Sequence, residues 1–174
     1  MFIIRKPYDD ADPKVLRKFA DMDKNDIYKD LYRQIESIIS GEDDIIANMA
    51  NMAATIHDKF GFWWTGFYIV KGKELVLGPF QGPVACTRIA FGKGVCGTAW
   101  ERKGTIIVPD VHLFPGHIAC SSLSRSEIVI PVFKDSEVFA VLDIDSRELS
   151  TFDETDKNWL ERIVRLLTAG TVRL

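Results

Sequence analysis

The hydrophobic period of this chain changes at Gly61, and that change limits the fold more than any other feature. Before it, Ile27, Leu31, Ile35, Ile38 and Ile39 recur at helical spacing from Asp26 onward. Gly41 ends that run. Asp43 and Asp44 stand where the N-cap of a second helix belongs, ahead of Ile45, Met49, Met52, Ala53 and Ile56. After Gly61, the stretch from Phe62 to Val70 is aromatic and β-branched, which predicts a strand. Lys71-Gly72-Lys73 turns it back into Glu74–Leu77, making a hairpin. A second hairpin follows in Glu127–Phe133 and Val138–Asp145, and Pro131 places its strand at a sheet edge or beside a bulge. Thr151 and Glu154 have capping-box spacing ahead of Trp159, Leu160, Ile163, Val164 and Leu167, which predicts a closing helix. Helices at both ends with antiparallel strands between them define an α+β fold. Its central antiparallel sheet carries the N- and C-terminal helices on one face.

Composition narrows the function. A chain of 174 residues with 47% apolar content can build a core without disulfide or metal staples. A net charge of −3 lacks the basic excess of a nucleic-acid binder. No apolar run approaches the roughly 18 residues of a membrane span. The apolar stretch at Met1–Ile4 is too short for a signal-peptide core, so a cytoplasmic location is expected. The three cysteines are then expected to be reduced at rest, and an odd number does not suit a purely structural disulfide framework.

Residues 78–126 hold all three cysteines and two of the three histidines, so the chemistry is expected there. Cys86, Cys96 and Cys120 admit three readings: small buried hydrophobes, zinc ligands completed by His112 or His117, or a redox pair. No C-x-x-C pair supports zinc, and spacing alone does not select which two would pair. Phe91–Ala99 is a glycine-rich loop opening a helix. It lacks nucleotide-binding spacing, but its N–H groups could hold a carboxylate. Asp143 and Asp145 alternate along an apolar strand, and period two gives them one face, shared with Val141 and Phe139. Glu127 on the neighbouring strand could complete a negative pocket for a cationic group. Alternatively, one of these carboxyls could serve as an acid with a raised pKa. Trp63, Trp64, Phe67 and Tyr68 divide between the core and a face that could line the pocket.

Several runs taken together resemble one family. They are Trp64–Tyr68, Gly78–Gly82, Ala85-Cys86, Gly92–Ala99, Gly116–Cys120, Ser126–Val129 and Leu142–Ser146. The chain from about residue 26 to 170 resembles the free methionine-(R)-sulfoxide reductases, which have a GAF-type domain. The resemblance implies a GAF-like catalytic domain over residues 26–174, preceded by an arm at 1–25. It implies reduction of free L-methionine (R)-sulfoxide, with Cys120 catalytic, Cys86 resolving and Cys96 auxiliary. Trp64 and Tyr68 would line the methyl pocket. Glu127, Asp143 and Asp145 would bind the polar groups of the substrate, with Glu127 and Asp145 assisting proton transfer. No metal or organic cofactor is expected. The expected partners are a thioredoxin-like reductant and a second copy of the chain in a homodimer, with no nucleic acid and no membrane. Two positions depart from the usual pattern, Pro83 in place of a Lys and Ser121 in place of an Asp. The rival reading is a GAF-type redox sensor that binds a small ligand without catalysis.

Overall fold

In the computed structural model, residues 23–118 and 122–169 are described. Most of the predicted arm, together with Cys120 and Ser121, lies outside them. The elements in chain order are α1 (Lys24–Ile39), α2 (Ile45–Phe60), β1 (Trp64–Lys71), β2 (Glu74–Gln81), β3 (Arg88–Ala90), α3 (Gly94–Arg102), β4 (Ile106–Val108), a 3-10 turn (Val111–Leu113), β5 (Ser126–Lys134), β6 (Glu137–Ser146) and α4 (Glu154–Ala169). The strands form one antiparallel sheet in the order β3-β2-β1-β6-β5-β4.

One face of the sheet carries α1, α2 and α4. Tyr28, Leu31, Ile35, Met49, Met52, Ile56, Leu160 and Ile163 pack there on Phe67, Ile128, Ile130, Leu142 and Ile144. The first helix begins two residues earlier than expected. Lys24 bonds to Asp153 and Asp156 at the start of α4, which extends α1 across the predicted arm boundary. Tyr28 Oη donates to Asp156 Oδ1 at 2.7 Å, tying the same two helix ends together. The opposite face carries α3. There Val95, Cys96 and Ala99 pack against Trp64, Tyr68, Val129 and Val141.

One local expectation is met and two are not. Pro131 sits in the interior strand β5, but β4 pairs only with Glu127, Ile128 and Val129, and the register of β5 on β6 shifts between Val132 and Phe133. Proline is thus accommodated where the ladder has already been interrupted. That same shift overturns the expected placement of Phe139. Val132 faces Ala140 while Phe133 faces Val138, so Phe139 is an extra residue that reverses the alternation and packs toward the helices. Thr151 does not cap α4. Its hydroxyl donates to Ser146 Oγ at 2.7 Å, and the cap lies further on, at Asp153. Asp153 Oδ1 accepts from the N–H of Thr155 and Asp156, and Asp156 Oδ2 accepts from the N–H of Asp153.

Candidate functional site

Sheet register assembles the site. Trp64 stands opposite Asp145, which stands opposite Glu127, in one row across three strands. The next row is Gly66, Asp143 and Val129, and the following one pairs Tyr68 with Val141. Strand alternation turns the three carboxyls and the two aromatic rings away from the helical core. They line one pocket together with Cys96, beneath Pro83–Ala85 on one side and Ile118 on the other. The Trp64 and Tyr68 rings stack at 5.9 Å, and Trp64 stacks on Phe80 at 5.5 Å.

Gly66 makes that stack possible. A Cβ at this position would meet Phe80 Cβ at 2.4 Å and the Trp64 ring at 2.5 Å, neither of which is the flexible end of a side chain. Gly66→Ala is therefore expected to tilt the Trp64 wall and destabilise the fold by about 1–3 kcal/mol. Urea unfolding and tryptophan fluorescence check both effects. An unchanged urea midpoint together with unchanged emission would contradict the close fit.

Helix α3 delivers the glycine-rich loop to the pocket. Gly94 has φ +60° and lines it with Val95, and no side chain caps this helix end. Gly97 lets the helix start pack on β3, since a Cβ there would lie 2.5 Å from the Ala90 carbonyl oxygen. Cys96, two residues into the helix, is free and buried, with its Sγ 4.0 Å from Glu127 Oε1. Burial and the neighbouring Asp143 and Glu127 push its thiol pKa up, so it rests protonated and unreactive. Cys86 is disulfide-bonded. Its carbonyl accepts from Tyr68 Oη at 3.0 Å, which anchors the cysteine loop to the aromatic wall. Pro83 contributes through its backbone, its carbonyl accepting from Trp64 Nε1 at 3.1 Å. Cys120 lies outside the described residues. His117 and Ile118 before it, and Ser124 after it, line the pocket.

The carboxyls share a low-dielectric floor. Glu127 and Asp143 are 6% and 7% exposed, and Asp143 Oδ1 has no hydrogen-bond partner. Burial first, then the charges of its neighbours Asp143 and Asp145, pushes Glu127 well up. Burial and Asp145 do the same to Asp143. Asp145 is pushed up to about 6 by burial, against a hydrogen bond from Ser124. The unfolded chain releases the Asp145 proton near its ordinary value, whereas the folded chain keeps it to about 6. Stability is therefore expected to fall as pH rises from about 4 through about 6, because the folded state then holds more protons. Asp145→Asn should remove this component. Urea midpoints across that range would show it, and identical slopes in wild type and variant would contradict it.

Sequence reasoning left Trp63 undecided between core and pocket, and missed Ser124. Trp63 precedes β1, escapes its alternation and lines the pocket beside Trp64, with the Arg147 guanidinium 3.5 Å from its ring centroid. Ser124 carries no pattern that would single it out. Cys96, Glu127 and Asp143 bring donor atoms within 4.8 Å of one another, although their sequence spacing resembles no metal motif.

With the geometry in place, the chain can be compared with known proteins. The GAF domain family profile matches residues 40–170. The free methionine-R-sulfoxide reductase of Escherichia coli K12 is 42% identical over 147 residues, covering 84% of this chain and 89% of the relative. Its Saccharomyces cerevisiae namesake is 40% identical, covering 88% and 90%. A solved structure of the free methionine-R-sulfoxide reductase of Neisseria meningitidis, in complex with its substrate, is 53% identical with a TM-score of 0.82, covering 84% of this chain and 89% of that one. The chain belongs to the free methionine-R-sulfoxide reductase family of GAF domains. The TM-score of 0.82 shows that the fold described above is shared with the Neisseria meningitidis structure. Among the described residues no helix is long and apolar enough to cross a membrane.

Proposed function

We propose that this chain reduces free L-methionine (R)-sulfoxide to methionine. The observation that carries the reading is the convergence of Glu127, Asp143 and Asp145 beneath Trp64 and Tyr68, in a chain with reductase relatives. A sulfoxide sulfur accepts a nucleophile poorly until its oxygen is protonated, so the site needs both an acid and a thiolate. Glu127, pushed well up by burial, keeps a proton to give, and Asp145, pushed up to about 6, can exchange one near neutral pH. Asp143, also pushed up by burial, gives up its proton and accepts a bond when the substrate ammonium docks against its unpartnered Oδ1. The Cys120 thiol takes the sulfoxide oxygen, becoming a sulfenic acid as methionine leaves. The Cys86 thiol then displaces water from it and forms a disulfide. The engagement of Cys86 in a disulfide while Cys96 stays free supports this division. A thioredoxin-type dithiol restores both thiols by exchange, so that one sulfoxide and one dithiol give methionine, a disulfide and water. The methyl group lies against Trp64 and Tyr68. Homodimerisation and the thioredoxin partner follow from the resemblance, and a cytoplasmic setting from the N-terminal sequence.

The deciding experiment couples thioredoxin and thioredoxin reductase to NADPH consumption in the presence of free methionine sulfoxide. Sustained consumption that stops when half of an equal mixture of the R and S epimers of free L-methionine sulfoxide is used is the expected result. Ligand binding with no turnover would instead favour the sensor reading.

A further inference from the structure

Cys96 is buried at 3% exposure and is the free cysteine among the described residues, yet the reaction above gives it no step. Its Sγ and one oxygen each from Glu127 and Asp143 all lie within 4.8 Å of one another. Both carboxyls are more than nine-tenths buried, and Asp143 Oδ1 has no hydrogen-bond partner among the described residues. We infer that Cys96, Glu127 and Asp143 form a binding site for a thiophilic divalent cation of the zinc class.

The three donors come from α3, β5 and β6, so packed elements hold them and no loop must close. Zinc binds sulfur at about 2.3 Å and carboxylate oxygen at about 2.0–2.2 Å, which places ligands in a tetrahedral site roughly 3.3–3.6 Å apart. Cys96 Sγ and Glu127 Oε1 are already at 4.0 Å, and small side-chain rotations close the rest. A dication also relieves the repulsion between two buried carboxylates, which otherwise must keep protons or find a cation. The thiolate selects zinc or cobalt over magnesium and calcium, which prefer oxygen alone. The fourth position faces the pocket and is left for water. Binding exchanges the protons on the three side chains for the ion and releases them to solvent, with no change of oxidation state. On the reductase reading, an ion seated there displaces the substrate ammonium from Asp143, so it would inhibit.

The test reads binding without turnover, so it stands apart from the reductase reading. In the full chain carrying Cys86→Ser and Cys120→Ser, Cys96 is the remaining thiol. Titration with Co2+ under anaerobic conditions is expected to give a thiolate-to-cobalt charge-transfer band that saturates at one equivalent. Zn2+ should abolish the band by displacement, and Mg2+ should leave it unchanged. Surface histidines cannot produce this band. Adding Cys96→Ser or Asp143→Asn should remove it. Zn2+ should also raise the thermal midpoint of the parent chain, a readout that needs no further variant to fold. Absence of the band at excess Co2+, no change in the midpoint with Zn2+, or a band of undiminished affinity after Asp143→Asn would each overturn the site.

Discussion

A Cys120→Ser chain should release no methionine in a single turnover, whereas a Cys86→Ser chain should still release about one equivalent. The difference follows from the order of bond changes. Oxygen transfer to the attacking sulfur frees the product before any second thiol acts. Removing the attacking thiol abolishes the first event, and removing the resolving thiol stops only recycling. In the Cys86→Ser chain the sulfenic acid should persist long enough to be trapped by a dimedone-type reagent, at Cys120 alone. Cys96 is not expected to rescue either variant. Its thiol is buried against Glu127 and Asp143, and burial with their negative charge keeps it protonated. Mixing reduced enzyme with excess free methionine sulfoxide, without a recycling system, and counting methionine per chain measures all of this. Equal yields from the two variants would refute the division of labour.

The fold was largely legible because its signals are periodic. Helical stripes at Leu31, Ile35, Met49 and Met52 and at Leu160 and Ile163 predicted which faces are buried, and those residues form the helix-side core. The two hairpins were visible from β-branched runs, since pleated strands select such side chains. What failed was parity and chemistry of single positions. One extra residue at Phe139 reverses a strand face, and nothing in composition marks a bulge. Thr151 and Glu154 match a capping box by spacing, but the hydroxyl is closer to Ser146, and Asp153 and Asp156 supply the reciprocal cap.

The site divides in the same way. Period two correctly put Asp143 and Asp145 on one face, because the bulge lies before them in β6 and leaves their alternation intact. Glu127 joined them through register, which the proximity of two hairpin-forming strands had suggested. The glycine-rich start of α3 was legible, but the approach of Cys96 to Glu127 was not, since it depends on the packing of a short helix on the sheet. Trp63 was ambiguous for a related reason. It lies outside the strand, so alternation says nothing of it, and its place beside Arg147 depends on the turn out of β6.

Free methionine (R)-sulfoxide should be preferred over its N-acetyl derivative, which loses the ammonium alone, by about tenfold or more in kcat/KM, and over oxidised protein, which loses both charged ends, by about a hundredfold or more. A residue within a peptide lacks both the ammonium and the carboxylate that the free amino acid presents. Asp143 Oδ1 is buried and unpartnered, so it gains a charge-assisted bond only from a substrate that brings a cation. The uncapped start of α3, at Gly94 and Val95, offers N–H groups to an anion on the other side of the pocket. A hydrogen bond to a charged group contributes roughly 1.5–3 kcal/mol, so losing two such anchors costs about 3–6 kcal/mol, or a hundredfold and upward. Acylation of the nitrogen does more than remove a contact. It inserts a neutral amide against carboxyls that have no salt-bridge cation among the described residues, and a buried charge left unpaired is penalised further. Asp143→Asn should therefore narrow the gap between free and N-acetyl substrate, chiefly by slowing the free one. On the proposed reading handedness has a separate origin: Trp64 and Tyr68 would confine the methyl group to one side of the sulfur while the acid must face the oxygen, so only one epimer would satisfy both. Measuring kcat/KM for the free R and S epimers, the N-acetyl compound and an oxidised peptide, in wild type and Asp143→Asn, tests both halves. Similar values for all four substrates would remove the basis for assigning the ammonium to Asp143 and the methyl group to the aromatic wall.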